Sequence, residues 1–231
     1  MAMYKYLLFD LDDTLLDFRG SEKQALRKVL KKHNLDSSDE TIQLYSDIND
    51  SFWKRFEKGE ITRADIFEGR FIELSKQLGV EFDTYAVSHG YFKELSFCGL
   101  TFPYATALLD ILSKKGYELV AVTNGSLLPQ TGRIVASGIA GFFKGGIYIS
   151  EVVGYQKPQK EYFDFVLNAI GNPPKNEVLV LGDSLSGDIK GAIGMGLDNC
   201  FVNLRGHVLP QDINPTYTVT ALEDIISVCG L

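Results

Sequence analysis

Short apolar runs that stop abruptly at a small or acidic residue recur along the chain: Tyr6–Phe9 before Asp10, Leu119–Val122 before Thr123, Ile147–Ile149 before Ser150, and Val178–Leu181 before Gly182. A strand covered by helices on both faces has no polar side to show, so near-continuous runs of this length read as strands of a parallel sheet. Between the runs the period becomes helical. Tyr104–Lys115 sets Leu108, Ile111 and Leu112 on one face and stops at Gly116, and Glu161–Ile170 stops at Gly171. A last strand is predicted around Cys200–Val202 and an edge strand at Tyr217–Val219, before a final helix that Thr220 and Glu223 would open as a capping box. Strands alternating with helices predict an α/β fold, a doubly wound parallel sheet.

One stretch breaks the alternation. From about Asp17 to Phe97 only helical periodicity is present, with its own punctuation. Ser37 and Glu40 form a capping-box pattern before Tyr45, Ile48, Phe52 and Phe56, with Gly59 as a stop. Thr62 and Asp65 do the same before Phe67, Phe71, Leu74 and Leu78, with Gly79 as a stop. The chain therefore divides on paper into an α/β core, residues 1–16 and 98–231, and an inserted helical domain, residues 17–97. Entering after the first strand and its acidic loop, the insert would lie above the carboxyl ends of the strands, where open α/β sheets bind ligands, and could serve as a lid.

Composition narrows the function. The 231 residues are 45% apolar and 23% charged, as in ordinary globular domains. The net charge of −7 lacks the basic excess that neutralises a nucleic-acid backbone, so a nucleic-acid polymer is not an expected partner. Cys98, Cys200 and Cys229 are odd in number and widely spaced, with no zinc pattern, which favours a reducing compartment. The first apolar run is cut by Asp10 and is too short for a signal peptide or a membrane span, so a cytoplasmic protein with no membrane partner is expected. Oligomeric state is left open.

Asp10, Asp12 and Asp13 crowd the end of the first apolar run. Carboxylates this close repel one another unless a cation neutralises them, and an all-oxygen set with room for phosphate and water suits Mg²⁺. For Asp10 and Asp12 alone, a structural or capping role remains open. A second acidic cluster, Gly182-Asp183-Ser184-Leu185-Ser186-Gly187-Asp188, directly follows another apolar run and would meet the first if the two strands are neighbours. Thr123-Asn124-Gly125 and Lys157-Pro158 bring a hydroxyl and an ammonium from two further strand ends, the donors a phosphoryl group needs. Singly, each of these is commonplace; their joint order at successive strand ends carries the information.

In that order, Asp10-Leu11-Asp12-Asp13-Thr14, Thr123, Lys157 and Gly182-Asp183…Asp188, the chain resembles the haloacid dehalogenase-like hydrolase superfamily over nearly its whole length. The resemblance implies a Rossmann-like core with a helical cap and a covalent mechanism. Asp10 attacks phosphorus to form an aspartyl-phosphate, and Asp12 protonates the leaving oxygen and then activates water. It further implies that Thr123, Asn124 and Lys157 bind the phosphoryl group. Mg²⁺ would be held by Asp10, the Asp12 carbonyl and Asp183, with Asp188 behind them, holding a metal-bound water or orienting Lys157. An acid at residue 12 argues against dehalogenation, and Asp13-Thr14-Leu15-Leu16 resembles phosphatases more than β-phosphoglucomutases. Gly187 departs from the Ser or Asn often found before the second Asp of the last motif, which loosens the expectation for Asp188.

Within the superfamily, Asn49…Trp53…Phe56…Gly59-Glu60-Ile61-Thr62, Ile149-Ser150-Glu151…Gly154…Lys157-Pro158 and Asn214-Pro215-Thr216-Tyr217-Thr218-Val219 look like the pyrimidine 5′-nucleotidase branch. That resemblance implies a nucleoside monophosphate substrate such as dUMP, dTMP or a noncanonical analogue, with a small-phosphate phosphatase of the phosphoglycolate or sugar-phosphate type as the alternative. Asn49 and Trp53, at i and i+4, would share a helix face that could meet a base, and Phe18 could add a wall. Trp53 could equally extend the buried stripe of its helix. Lys54, Lys58, Lys76 and Lys93 are read as solvated rather than as a Schiff-base lysine of a phosphonate hydrolase. His33, His89 and His207 lie outside every motif. A phosphorylatable receiver domain would place its Asp after a middle strand with no insert of this size, and no Walker loop is present. A catalytically silent protein on the same scaffold is disfavoured by the intact motifs.

Overall fold

A computed structural model of the chain describes residues 4–231. Two compact units emerge. The first comprises residues up to Asp17, Leu100–Leu127 and Ser137–Leu231; the second comprises Phe18–Gly99 and Leu128–Ala136.

In the first unit the apolar runs form a six-stranded sheet of β1 (Tyr6–Phe9), β2 (Glu118–Thr123), β3 (Ile147–Ile149), β4 (Val178–Gly182), β5 (Asp198–Val202) and β6 (Tyr217–Val219). Their order is β3-β2-β1-β4-β5-β6 and every neighbouring pair is parallel. This is the doubly wound α/β arrangement, with the strand order reversing between β1 and β4. The register pairs Phe9 with Ala121 on one side and Leu181 on the other, so the segments after β1, β2 and β4 leave the sheet side by side. Leu7, Leu8, Val120, Val180 and Leu181 are fully buried, which accounts for the unbroken apolar character of these runs. One core cluster combines Leu8, Val120, Val122, Val178 and Val180 with Tyr162, Phe163 and Val166, the apolar stripe of a helix at Lys160–Ala169.

The predicted final helix is shorter than expected. It spans Asp224–Val228 with no side-chain cap at its start, because Asp224 and Ile225 satisfy their amides by bonding back to Ala221 and Leu222 rather than to a Thr220 box.

The second unit packs α1 (Phe18–Lys32), α2 (Asp39–Glu57), α3 (Arg63–Leu78) and α4 (Thr84–Ser96) around Leu26, Val29, Tyr45, Ile48, Phe71, Leu74, Val87 and Tyr91. Thr62 and Asp65 make the predicted capping box, and Gly79 ends α3 at φ 64°. The cap of α2 is Ser38 and not Ser37. Asp36 accepts from both the amide and hydroxyl of Ser38, which turns the Ser38 oxygen toward the Thr41 amide. Most of the helix Leu127–Ala136 also belongs to this unit. Gly132 permits this, since a Cβ there would come within 2.4 Å of the Ser96 carbonyl oxygen, and Arg133 reaches the Cys98 carbonyl and lies over the Phe18 ring. Among the described residues no helix is long and apolar enough to cross a membrane.

Candidate active site

Every strand of the left half of the sheet delivers a polar residue at its carboxyl end. Asp10 follows β1 and its amide bonds the Leu181 carbonyl of β4 at 2.8 Å, which fixes it at the reversal of strand order. Thr123 ends β2, buried, with Oγ1 accepting from the Gly125 amide at 3.0 Å. Lys157 arrives from beyond β3. Its ammonium donates to Asp10 Oδ1 at 2.7 Å, to Asp188 Oδ1 at 2.5 Å and to the Val122 carbonyl at 3.0 Å. With Lys157 at 2%, Asp10 at 6% and Asp188 at 0% exposure, the ammonium and both carboxylates are out of water.

Asp183 and Asp188 follow β4. Carboxylate oxygens of Asp10, Asp183 and Asp188 all lie within 4.8 Å of one another. Asp188 sits on Gly182, where any Cβ would come within 2.1 Å of its Oδ2, so only glycine ends β4 in this way. The Asp188 carboxylate is held at both ends, by Lys157 on Oδ1 and by the Ser184 amide on Oδ2 at 3.1 Å. Ser184 also accepts from the Gly187 amide at 2.9 Å and opens a turn of π-helix, Leu185–Ile189. The loop is thus pinned despite the glycine at 187.

The electrostatics are lopsided. Burial pushes the Asp10 carboxyl up to about 8, against the pull of Lys157, and Asp188 and Asp12 add repulsion. Asp183 is held well above the ordinary carboxylate range by loss of water and by the charges of Asp10 and Asp188. Burial works against the Lys157 ammonium, yet Asp10 and Asp188 outweigh it and raise its pKa. One ammonium facing three carboxylates leaves the cluster short of positive charge. The all-oxygen donor set and this deficit fit a divalent cation of the Mg²⁺ type. Asp10 and Asp183 would hold it, since Asp188 is already engaged at both oxygens.

The β1 loop folds tightly onto itself. The amides of Leu15 and Leu16 bond the Leu11 carbonyl at 2.9 and 2.7 Å, and the Asp13 amide bonds the Leu16 carbonyl at 2.8 Å. Asp13 takes a left-handed conformation, φ 57°, and Asp12 beside it is half-buried.

Two of the candidates read from sequence have side-chain amides that are already hydrogen-bonded within the protein. Asn124, a candidate phosphate ligand, uses its side chain on Lys157: its Nδ2 donates to the Lys157 carbonyl at 2.8 Å and its Oδ1 accepts from the Lys157 amide at 2.9 Å. Its side chain holds Lys157. Asn49 is 1% exposed, with its Nδ2 on Glu22 Oε1 at 2.7 Å and its Oδ1 accepting from Arg70. Both ends of its amide are committed inside the helical unit, so the polar atoms expected to meet a base already have partners on the face that Asn49 shares with Trp53. Trp53 is half-buried edge-on to Phe56 at 5.6 Å, and Phe18 packs against the core of the helical unit. Sequence reasoning missed Ser184, the clamp role of Asn124, and Arg205, which bonds Asp13 and Asp17. Only Arg205 left a trace in the sequence, its place next to Gly206 after a predicted strand.

Residues 4–196 match the sequence model of the haloacid dehalogenase-like hydrolases. The chain is 36% identical to the HAD-hydrolase YfnB of Bacillus subtilis over all of its own length and 97% of that protein. It superposes on the crystal structure of YfnB bound to magnesium with a TM-score of 0.93, covering 99% of each chain. It is 35% identical to the pyrimidine 5′-nucleotidase PynA of Streptococcus pneumoniae, over 96% of this chain and 94% of that one. To the pyrimidine 5′-nucleotidase YjjG of Escherichia coli it is 29% identical over 96% of each.

Proposed function

We propose that this chain, which belongs to the haloacid dehalogenase-like hydrolase family, is a Mg²⁺-dependent phosphomonoesterase that acts through Asp10, with pyrimidine nucleoside monophosphates as substrates. The observation that carries the reading is the Lys157 ammonium bound at once to Asp10 and Asp188 beside Asp183, at the end of the sheet where the strand order reverses. That arrangement has the composition of a phosphoryl-transfer site: a carboxylate nucleophile, a fixed cation, and a negative cluster that takes a second one.

Asp10 attacks phosphorus in line, forming an oxygen–phosphorus bond while the bond to the leaving oxygen breaks. Asp12 donates its proton to that oxygen. Asp12 then takes a proton from a water that attacks the aspartyl-phosphate, releasing phosphate and restoring Asp10. Thr123 donates its hydroxyl hydrogen to the transferring group. Lys157, held from behind by Asn124 and Asp188, offsets the charge that builds when carboxylate and phosphate approach. Mg²⁺, when bound, would be held by Asp10 and Asp183 and would supply positive charge against the carboxylates and the phosphate.

The nucleotide class is supported by the names of PynA and YjjG, matched over nearly the whole chain. We assign selection of the leaving group to the inserted helical unit, with the half-buried rings of Phe18 and Trp53 as its aromatic candidates. The test is phosphate release from nucleoside monophosphates, sugar phosphates and phosphoglycolate, with Mg²⁺ or with chelator, using Asp10→Asn as the blank. Release from dUMP and dTMP that chelator abolishes is the expected result. A profile led by sugar phosphates overturns the nucleotide class, and release that Asp10→Asn leaves intact overturns the mechanism.

A further inference from the structure

Four carboxylates, Asp10, Asp12, Asp13 and Asp17, lie within eight consecutive positions of the β1 loop. Two of them converge on one nitrogen far away in sequence. Arg205 Nη2 donates to Asp13 Oδ1 at 2.6 Å and to Asp17 Oδ1 at 2.8 Å, and the guanidinium carbon lies 5.2 Å from the centroid of the Phe102 ring. Phe102 is itself tied to the same loop, its amide bonding the Leu15 carbonyl at 3.0 Å. The arginine therefore grips the loop near its middle, at its end, and through the segment laid beside it.

The platform that presents Arg205 is itself locked. After β5, the Asn203 amide bonds the Val219 carbonyl of β6 at 2.8 Å. Across the turn, Asn203 Oδ1 accepts from the His207 amide at 2.7 Å, and Asn203 Nδ2 donates to the His207 carbonyl at 2.9 Å. Gly206 turns the chain at φ 69°. A side chain on a pinned turn can restrain what it binds, whereas one on a loose loop would follow it.

Through the Asp13 side chain, its bonds reach the turn at residues 12 and 13. Asp13 holds φ 57°, a conformation that is uncommon for a residue other than glycine and persists only when its surroundings fix it. Asp12 precedes it directly, so the direction of its carboxyl depends on that turn. We propose that Arg205 is a positioning residue for the acid–base carboxyl of Asp12, acting through Asp13 and Asp17. This rests on the function proposed above.

The chemistry offers a selective readout. In the step that forms the aspartyl-phosphate, a proton from Asp12 is needed when the leaving group is a poor one, as the 5′-oxygen of a nucleoside is, and is nearly dispensable when it is p-nitrophenolate. The experiment compares kcat/KM, which reports formation of the aspartyl-phosphate and not its hydrolysis, for dUMP and p-nitrophenyl phosphate in the wild type, Asp12→Asn, Arg205→Ala and Arg205→Lys, with circular dichroism and thermal melts for each. Arg205→Ala is expected to lose about 10²-fold in kcat/KM on dUMP, the scale of a small misplacement of a catalytic group. It should lose much less in kcat/KM on p-nitrophenyl phosphate. Arg205→Lys should recover part of the loss, because a single nitrogen makes both bonds. Asp17→Ala, which removes one of the two, should show the same selectivity more weakly and carries the test if Arg205→Ala does not fold. Equal losses on both esters, or none, with Asp12→Asn selective, would overturn the role of Arg205 alone. An Asp12→Asn enzyme without the leaving-group contrast would overturn the mechanism and this inference together.

Discussion

Each unit of the protein buries a charged cluster, and the two are built on opposite principles. In the α/β unit, Lys157 faces Asp10 and Asp188 with Asp183 beside them. In the helical unit, Glu22 and Arg70 are joined through neutral groups. Ser46 and Asn49 donate to the two oxygens of Glu22, Asn49 accepts from Arg70, and the Arg70 guanidinium lies over the rings of Tyr45, Phe71, Tyr91 and Phe92 at 5.1 to 5.8 Å. The helical cluster contains its own countercharge. The α/β cluster has acids in surplus, and only something from outside can balance it. A buried ion pair is weak evidence of stabilisation, but an unbalanced one at a strand end is a binding site waiting for charge.

The comparison breaks most sharply at Asp10. Asp10→Asn removes the nucleophile, and turnover should fall on the order of 10⁴-fold or more. In the absence of divalent cation the same variant should melt no lower than the wild type, because it relieves repulsion among carboxylates. A large drop in melting temperature would mean that Asp10 is held for structure and not for chemistry. Lys157→Met does the reverse. It strips the ammonium from between Asp10 and Asp188, and breaking a buried pair in this way costs about 3–5 kcal/mol. Urea titrations with and without Mg²⁺ should show the ion restoring part of that loss.

In the helical unit the corresponding change is Arg70→Met, which leaves the Glu22 carboxylate buried without its countercharge. A loss of about 3 kcal/mol is expected at pH 8. The double variant Glu22→Gln/Arg70→Met should regain most of it, since the amide needs no partner charge. If the double variant is no better than the single one, the cost lies in lost stacking on the four rings and not in charge.

The strands and the site read differently from the sequence for physical reasons. β1, β3 and β6 begin and end where the apolar runs do, and Asp10, Thr123 and Asp183 fall at or just after the ends of such runs, so a local pattern is enough to find them. The Ser38 cap shows the limit of pattern: two adjacent serines both satisfy it, and the choice is made by Asp36. Asn124, Asn49 and Arg205 were out of reach. Their roles depend on partners 33 and 27 positions away for the two asparagines, and 188 and 192 positions away for the arginine. Nothing local distinguishes an amide that faces a ligand from one that holds a backbone.

The finest cut through the comparison is pH. Burial pushes the Glu22 carboxyl up to about 7 from an ordinary 4.5, despite the hydrogen bond from Ser46 and the charge of Arg70. A carboxyl whose pKa is higher in the folded state binds its proton more tightly there. Its contribution to stability is therefore fully present below the unfolded value and is lost as pH rises through the folded one. Between pH 5 and 7 that loss amounts to about 2 kcal/mol for a single group shifted by this much. Other groups titrate over the same range, so the quantity to measure is a difference. Wild-type stability minus that of Glu22→Gln, from urea titrations at several pH values, should fall steadily from pH 5 to 7 and level off above about 8. A flat difference would show that Arg70 keeps Glu22 ionised throughout. The helical cluster would then be an ordinary ion pair, and the contrast with the unbalanced α/β cluster would rest on the surplus of carboxylates there alone.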